Sequence, residues 1–181
     1  QAGLLIWSES EIQQLIEKSW QSGLQVAIHC IGDRATFTAA KAAREVSARG
    51  ILGRLHLEHV QLLSTETVQM LKPLHVICYM QPCHWLSDHS WIKESISSDL
   101  ISKMFRWELL RKNKIPFYFG SDSPIERPSL FDNKRALIES VDWGIEKLNS
   151  DWKLYHRHPD LNWNPSYTEI EKDQIKQVYF N

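Results

Sequence analysis

Two histidines and one aspartate occupy corresponding places in this sequence of 181 residues. His29, His59 and Asp122 each follow a short, mostly apolar run and precede a segment rich in turn-forming residues. Neutral imidazoles and carboxylates are common ligands of zinc, and a carboxylate beside a metal ion can also accept a proton from water. These residues therefore predict a divalent metal site, with zinc as the expected ion, provided that the fold brings them together.

Each of these residues also has a purely structural interpretation. A single histidine is more often a packing or surface residue than a metal ligand. The sequence Ser-Asp-Ser-Pro around Asp122 is typical of a turn that begins a helix, and His56, within its apolar run, is expected to pack on a sheet face. From the residue types alone, a metal site and a set of caps and turns stay equally open.

Apolar runs that alternate with helical periodicity predict the elements that carry these residues. Strands are expected at residues 24–28, 55–59, 75–80 and 115–119. Helices are expected after the capping box Ser8-x-x-Glu11 and over residues 35–48, 64–71, 99–112, 130–143 and 168–178, with a polar loop over 83–97. Short apolar strands alternating with helices predict an α/β fold with a parallel sheet and right-handed crossovers.

The carboxyl ends of parallel strands meet at one edge of the sheet, so His29, His59 and Asp122 are expected to lie near one another there. Two architectures fit the pattern, namely part of a TIM-type (β/α) barrel and an open doubly wound sheet. We expect one domain over residues 1–181, with a less regular tail over residues 146–181.

The amino-acid composition limits which binding partners and which cellular compartment are expected. The net charge of −1 gives no basic surface for nucleic acid or for an anionic membrane. No apolar run approaches the roughly 20 residues of a membrane span, and no signal peptide is expected. The three cysteines, Cys30, Cys78 and Cys83, are too few for a disulfide framework, so reduced thiols in a cytoplasmic protein are expected.

Four segments, taken in order, resemble the amidohydrolase superfamily. They are VAIHCIGDRA from Val26, LEHVQ from Leu57, MQPCHWLSD from Met80 and FGSDSP from Phe119. The most similar branch is amidohydrolase family 3, which includes N-substituted formamide deformylases and D-aminoacylase-like enzymes. The resemblance covers residues 3–141, and the order of the four segments makes it specific although each alone is weak.

The resemblance implies that the chain forms about half of a TIM-type barrel, with strands equivalent to the fifth to eighth. It implies that His29 and His59 are metal ligands and that Asp122 is both a metal ligand and the catalytic base. It also places His84, and less directly Asp88, in contact with substrate, although ordering of a polar loop explains these two residues equally well. The implied reaction is hydrolysis of a C–N bond, in a small amide or N-acyl substrate, by metal-activated water.

The sequence departs from the family in lacking the first-strand His-x-His pair and the fourth-strand ligand. The only His-x-His is His156-Arg157-His158, which is expected in a loop. We therefore expect a C-terminal half barrel with little or no activity by itself. The alternatives are a non-catalytic module that needs a partner chain and an unrelated open α/β module that binds a small ligand. Exposed strand edges predict either a homodimer or pairing with a missing N-terminal half.

Overall fold

A parallel sheet flanked by helices forms most of the chain. The computed structural model describes residue 4, residues 6–148 and the backbone of three later strands at 152–155, 167–171 and 174–179, so the His-x-His of residues 156–158 lies outside the described residues. In chain order the elements are α1 Glu9–Gln21, β1 Val26–Cys30, α2 Asp33–Ala48, β2 Arg54–His59, α3 Thr65–Leu71, β3 His75–Met80, α4 Cys83–Asp88, α5 Ile92–Ser95, α6 Ser98–Ile101, α7 Trp107–Lys112, β4 Phe117–Phe119, α8 Leu130–Glu139, a 3-10 helix Ser140–Trp143, β5 Trp152–Tyr155, β6 Tyr167–Glu171 and β7 Gln174–Tyr179.

The strands lie side by side in the order in which they occur along the chain. β1 to β4 are parallel, which confirms the predicted α/β fold with βα units. β5 adds to β4 in parallel through the pairing of Phe119 with Leu154, and β6 and β7 continue the sheet in antiparallel fashion. The outer edge of β4 is therefore paired, whereas no strand of the described residues pairs with the outer edge of β1.

Several predicted elements differ from the observed ones. The helix predicted over residues 168–178 is wrong, because β6 and β7 occupy that range as an antiparallel pair. The helix predicted over 99–112 is divided into α6 and α7, with Phe105 between them at a left-handed φ of 49°. The segment predicted as a loop over 83–97 contains α4 and α5. β1 begins and ends two residues later than predicted, so His29 lies within the strand.

Helix α1 is fixed at both ends. Its capping box is formed, since the Glu11 N–H donates to Ser8 Oγ at 3.3 Å and the Ser8 N–H donates to the Glu11 carboxylate at 2.7 Å. At the other end the Trp20 indole donates to the Arg54 carbonyl at 3.2 Å. A Cβ at Gly53 would lie 2.2 Å from the Trp20 ring, so this packing of α1 against the start of β2 requires glycine.

The two faces of the sheet differ in chemistry. One face packs against the helices through fully buried apolar side chains, and α2 contributes alanines that let it lie close to the strands. The opposite face carries a row of residues in register across four strands: His29, Glu58, Tyr79 and Tyr118. His56 lies on this same face, where it is buried and bonded to Tyr79 and Gln25, in agreement with its predicted packing role.

None of the described helices is long and apolar enough to cross a bilayer.

Candidate metal centre

The rings of His29 and His59 meet at the carboxyl ends of β1 and β2. His59 Nε2 lies 3.0 Å from His29 Nδ1, and the ring planes are inclined by 66°. At this distance the two nitrogens share one proton between them, since a hydrogen bond needs one donor and one acceptor. His59 is 5 % exposed, whereas His29 is exposed on the edge strand. The pair therefore has one buried and one accessible member.

The backbone conformation at the end of β2 brings the His59 ring next to the His29 ring. Strand alternation alone would place His59 on the helix-facing side with Leu57, away from His29. His59 and Val60 instead have left-handed φ values of 71° and 46°, which turn the chain at this point. For residues other than glycine this conformation costs roughly 1–2 kcal/mol each. Val60 is held there by a hydrogen bond from its N–H to the Cys30 carbonyl at 3.1 Å. Backbone strain of this kind is concentrated at functional sites.

Asp122 approaches the histidine pair from the turn after β4. Its Oδ2 lies 3.9 Å from His59 Nε2, and its side chain is 40 % exposed. Asp122 is also left-handed, with φ 55°, and its carbonyl accepts from the Ile125 N–H at 2.8 Å. The turn is tied to β3 by the Gly120 N–H, which donates to the Met80 carbonyl at 2.9 Å. The structure thus brings together the three residues that the sequence nominates as ligands.

His84 covers the pair from helix α4. Its ring stacks on that of His59, with the centroids 5.8 Å apart and the planes inclined by 25°. The start of α4 is fixed by the Cys83 N–H, which donates to the buried Asn133 side chain at 3.3 Å. His84 Nε2 is buried and has no hydrogen-bond partner among the described residues. It is therefore a buried polar atom without the partner that such atoms normally have.

His59 is held in its neutral form. Burial lowers the pKa of His59, the neighbouring His29 lowers it further, and the Asp122 carboxylate acts in the opposite direction. A neutral imidazole keeps the lone pair that a metal ligand needs. The environment of His59 thus suits coordination of a cation.

Asp88 is placed differently from the other predicted residues. It does not contact the histidine pair, and its Oδ2 accepts a hydrogen bond from Gln61 Nε2 at 3.0 Å. Gln61 lies two residues beyond His59 and is 6 % exposed. Sequence reasoning does not single out Gln61, although its position just beyond a strand-end histidine is a usable signal. His84 and Asp88 are four residues apart on α4, so they lie on one side of that helix.

The donor atoms fit a divalent ion in part. Two nitrogens bonded to one tetrahedral zinc ion lie about 3.3 Å apart, close to the observed 3.0 Å between His29 and His59. The Asp122 oxygen is more distant, and among residues 4 and 6–148 no three His, Cys, Asp or Glu side chains surround a single point as they stand. For Asp122 to bind the same ion as the histidines, its exposed turn would have to move toward the histidine pair.

Comparison with known proteins identifies the family of the chain. The model of the amidohydrolase family matches residues 2–155. The chain belongs to the amidohydrolase family. Among curated proteins, this amidohydrolase chain is 29 % identical over 125 residues to YtcJ of Bacillus subtilis (strain 168), which is an amidohydrolase by name, covering 68 % of the chain and 23 % of YtcJ. It is 27 % identical over 144 residues to the protein LONG AFTER FAR-RED 3 of Arabidopsis thaliana, covering 77 % of the chain and 24 % of that protein.

Two solved structures share the fold of this amidohydrolase chain. They are described as uncharacterized metal-dependent hydrolases, one from Pyrococcus furiosus and one from Pyrococcus horikoshii OT3. The TM-scores are 0.66 and 0.65 at 30 % and 28 % identity. The matches cover 76 % and 81 % of this chain but only 28 % and 29 % of those structures. The chain therefore spans about a quarter of the length of its curated relatives and slightly more of these two structures.

Proposed function

We propose that this amidohydrolase chain supplies the histidine and carboxylate part of a metal-dependent hydrolase site that acts on C–N bonds. The observation that carries the proposal is the 3.0 Å approach of His29 and His59, with the Asp122 carboxylate 3.9 Å from the same His59 nitrogen. Membership of the amidohydrolase family and the description of two similar structures as metal-dependent hydrolases support it.

In this proposal His29 and His59 bind a divalent ion, with zinc as the expected one, and Asp122 completes the ligand set. When bound, such an ion polarises a carbonyl group and lowers the pKa of water toward neutrality. Asp122 accepts the proton of the attacking water and returns it to the nitrogen that leaves as the C–N bond breaks. Its exposed position on a turn leaves it free to make both contacts.

The substrate side of the site is formed by α4. His84 Nε2 is buried and unpartnered in the substrate-free structure, so a substrate that enters beside His59 and displaces the packing over this atom would place its amide or N-acyl carbonyl oxygen where Nε2 can donate to the negative charge that develops during attack. Asp88 has one carboxylate oxygen bonded to Gln61, which leaves the other to accept from a substrate N–H. A small amide-type substrate, as in the formamide deformylase and D-aminoacylase branch, provides both groups.

Zinc titration of the purified chain tests the proposal. We expect weak binding of one ion and a loss of affinity of about 100-fold or more in His29→Ala and in His59→Ala, because each removes one of two nitrogen ligands. His75→Ala is the matched control, since His75 is an exposed histidine at the opposite end of β3. Calorimetry checks the affinity and elemental analysis checks the content. Equal zinc content in the wild type and in the double variant would refute the metal site.

A further inference from the structure

One side of helix α4 makes two separate contacts with the end of β2. His84, in the first turn of α4, stacks on His59 with a centroid distance of 5.8 Å. Asp88, at the last residue of α4, accepts from Gln61 Nε2 at 3.0 Å. His84 and Asp88 are four residues apart on α4. Their partners, His59 and Gln61, are two residues apart at the end of β2 and just beyond it. The Gln61–Asp88 hydrogen bond therefore fixes the same side of the helix that carries the histidine.

Contacts of several kinds hold helix α4 in place. With six residues it is too short to be stable by itself, so its position depends on tertiary contacts. Its first residue is held by the Asn133 side chain, and buried Trp85 packs into the core. Near its end Ser87 donates to Glu126, but that contact is exposed and is expected to contribute little. The Gln61–Asp88 bond is a partly buried side-chain contact that joins this end of the helix to the segment after β2, in addition to the edge-on packing of Trp85 against Trp143.

The Gln61 side of the bond belongs to a rigid part of the molecule. The Gln61 carbonyl accepts from the Phe105 N–H at 2.8 Å, and the next residue, Leu62, donates its N–H to the Ile31 carbonyl at 3.0 Å. The Gln61 side chain is buried, and its amide is a neutral donor that meets a charged acceptor. Hydrogen bonds to a charged group are about twice as strong as those between neutral groups.

We propose that Gln61 is a positioning residue, which holds α4 through Asp88 so that His84 stays stacked on His59. Among the described residues, the Gln61 side chain bonds to Asp88 and makes no hydrogen bond to the histidine pair or to Asp122, so it acts on the site through α4. If the proposed function holds, Gln61 thereby sets how firmly the substrate-binding side chain of His84 is held over the metal-binding pair.

Modification of histidines by diethyl pyrocarbonate, mapped by mass spectrometry, tests this proposal without metal or substrate. His84 is expected to react slowly in the wild type, because its Nε2 is buried. In Gln61→Leu and in Asp88→Ala we expect its rate to rise about tenfold, as the loss of a hydrogen bond to a charged group shifts the equilibrium toward undocked α4. Asp88→Asn retains an acceptor for Gln61 and is expected to keep the rate within about twofold of the wild type.

The chain provides matched controls for this experiment. Ser87→Ala removes an exposed side-chain contact at the same end of α4 and is expected to leave the His84 rate unchanged. Exposed His75 reports the reagent concentration in every sample, and buried His56 reports general loosening of the fold.

Three results would overturn the proposal. They are an unchanged His84 rate in both Gln61→Leu and Asp88→Ala, an equal rise in Ser87→Ala, and a rise that His56 shares. A chain that binds no zinc would refute the proposed function and would leave this measurement valid, so the two failures are distinguishable.

Discussion

The two ends of the parallel sheet are built differently, although each carries a residue of the candidate site. At the β1 end, no described strand pairs with the outer edge, and exposed apolar side chains of α1 and the preceding segment flank it in a groove of about 540 Å³. The most exposed of these side chains are Leu4 at 92 %, Ile6 at 86 % and Trp7 at 51 %. At the β4 end the sheet continues through β5, β6 and β7.

This difference shows which of the three site residues lies on a strand with an unpaired edge. His59 is buried between the two ends, and Asp122 follows a strand that is paired on both sides. Of the three site residues, only His29 lies on a strand whose outer edge is unpaired within the described part of the chain, and His29 is exposed. Open, uncharged edges pair readily with other chains. We therefore propose that β1 is covered in the functional protein, either by a second copy of this chain or by the remainder of a longer barrel.

Core truncation should distinguish the two regions most strongly. Leu57→Ala in β2 removes a fully buried side chain and is expected to lower the free energy of unfolding by about 2–5 kcal/mol. Ile28→Ala in β1 removes a half-buried side chain and is expected to cost about 1 kcal/mol. Urea denaturation of dilute protein measures both values. Equal losses would show that the β1 flank is as well packed as the centre of the sheet.

Thiol labelling tests whether the open edge also opens more often. Burial raises the pKa of Cys78 to about 12, and burial, followed by the charges of Cys78 and Glu58, raises the pKa of Cys30. Each thiol is therefore protonated in the closed fold and reacts only after local opening restores a pKa of about 8.5. We expect Cys30 on β1 to react with iodoacetamide about tenfold faster than Cys78 on β3.

The pH dependence of this labelling has a definite sign. Because the open state has an ordinary thiol pKa, both rates should rise with pH up to about 8.5 and level off above it. Peptide mapping assigns the label to each cysteine and separates both from buried Cys83. Equal rates for Cys30 and Cys78 would mean that the edge strand opens only together with the whole sheet.

Self-association is the most sensitive test of the exposed flank. Leu15→Lys places a charge in the groove beside β1, where Leu15 is 41 % exposed. If a second copy covers this flank, the dimer dissociation constant should rise about fivefold as apolar burial is lost. Ile138→Lys on α8 is the control, with a similarly exposed apolar residue outside the groove. Sedimentation that shows a monomer at every concentration, with no change in Leu15→Lys, would exclude the homodimer and leave the longer barrel.

The sequence predicts the parallel core because each strand is a short apolar run bounded by turn residues, as in residues 75–80 before Gln81-Pro82. It predicts a single helix over 99–112 because the apolar spacing is helical throughout. The observed break at Phe105 depends on contacts with the segment after β2, from the Phe105 N–H to Gln61 and from Leu63 to the Lys103 carbonyl. Local patterns contain no information about such distant partners.

The same limit applies to the site. Strand-end positions are enough to nominate His29, His59 and Asp122, which the structure brings together. The left-handed backbone that turns His59 toward His29 is not foreseeable, because residues other than glycine rarely adopt it. The Gln61–Asp88 bond is equally hidden, since it requires α4 in a segment whose composition predicts a loop.

Because each strand of the sheet pairs with its neighbour in sequence, the protein can fold through short-range steps. Joining β1 to β2, and then β2 to β3, closes the loops of residues 31–53 and 60–74, each of which contains one helix. Such local closures are fast compared with the pairing of strands from distant parts of a chain. During synthesis the histidine pair can therefore assemble on β1 and β2 before the turn that carries Asp122 has been made, so that the carboxylate is added last to a preformed pair of imidazoles.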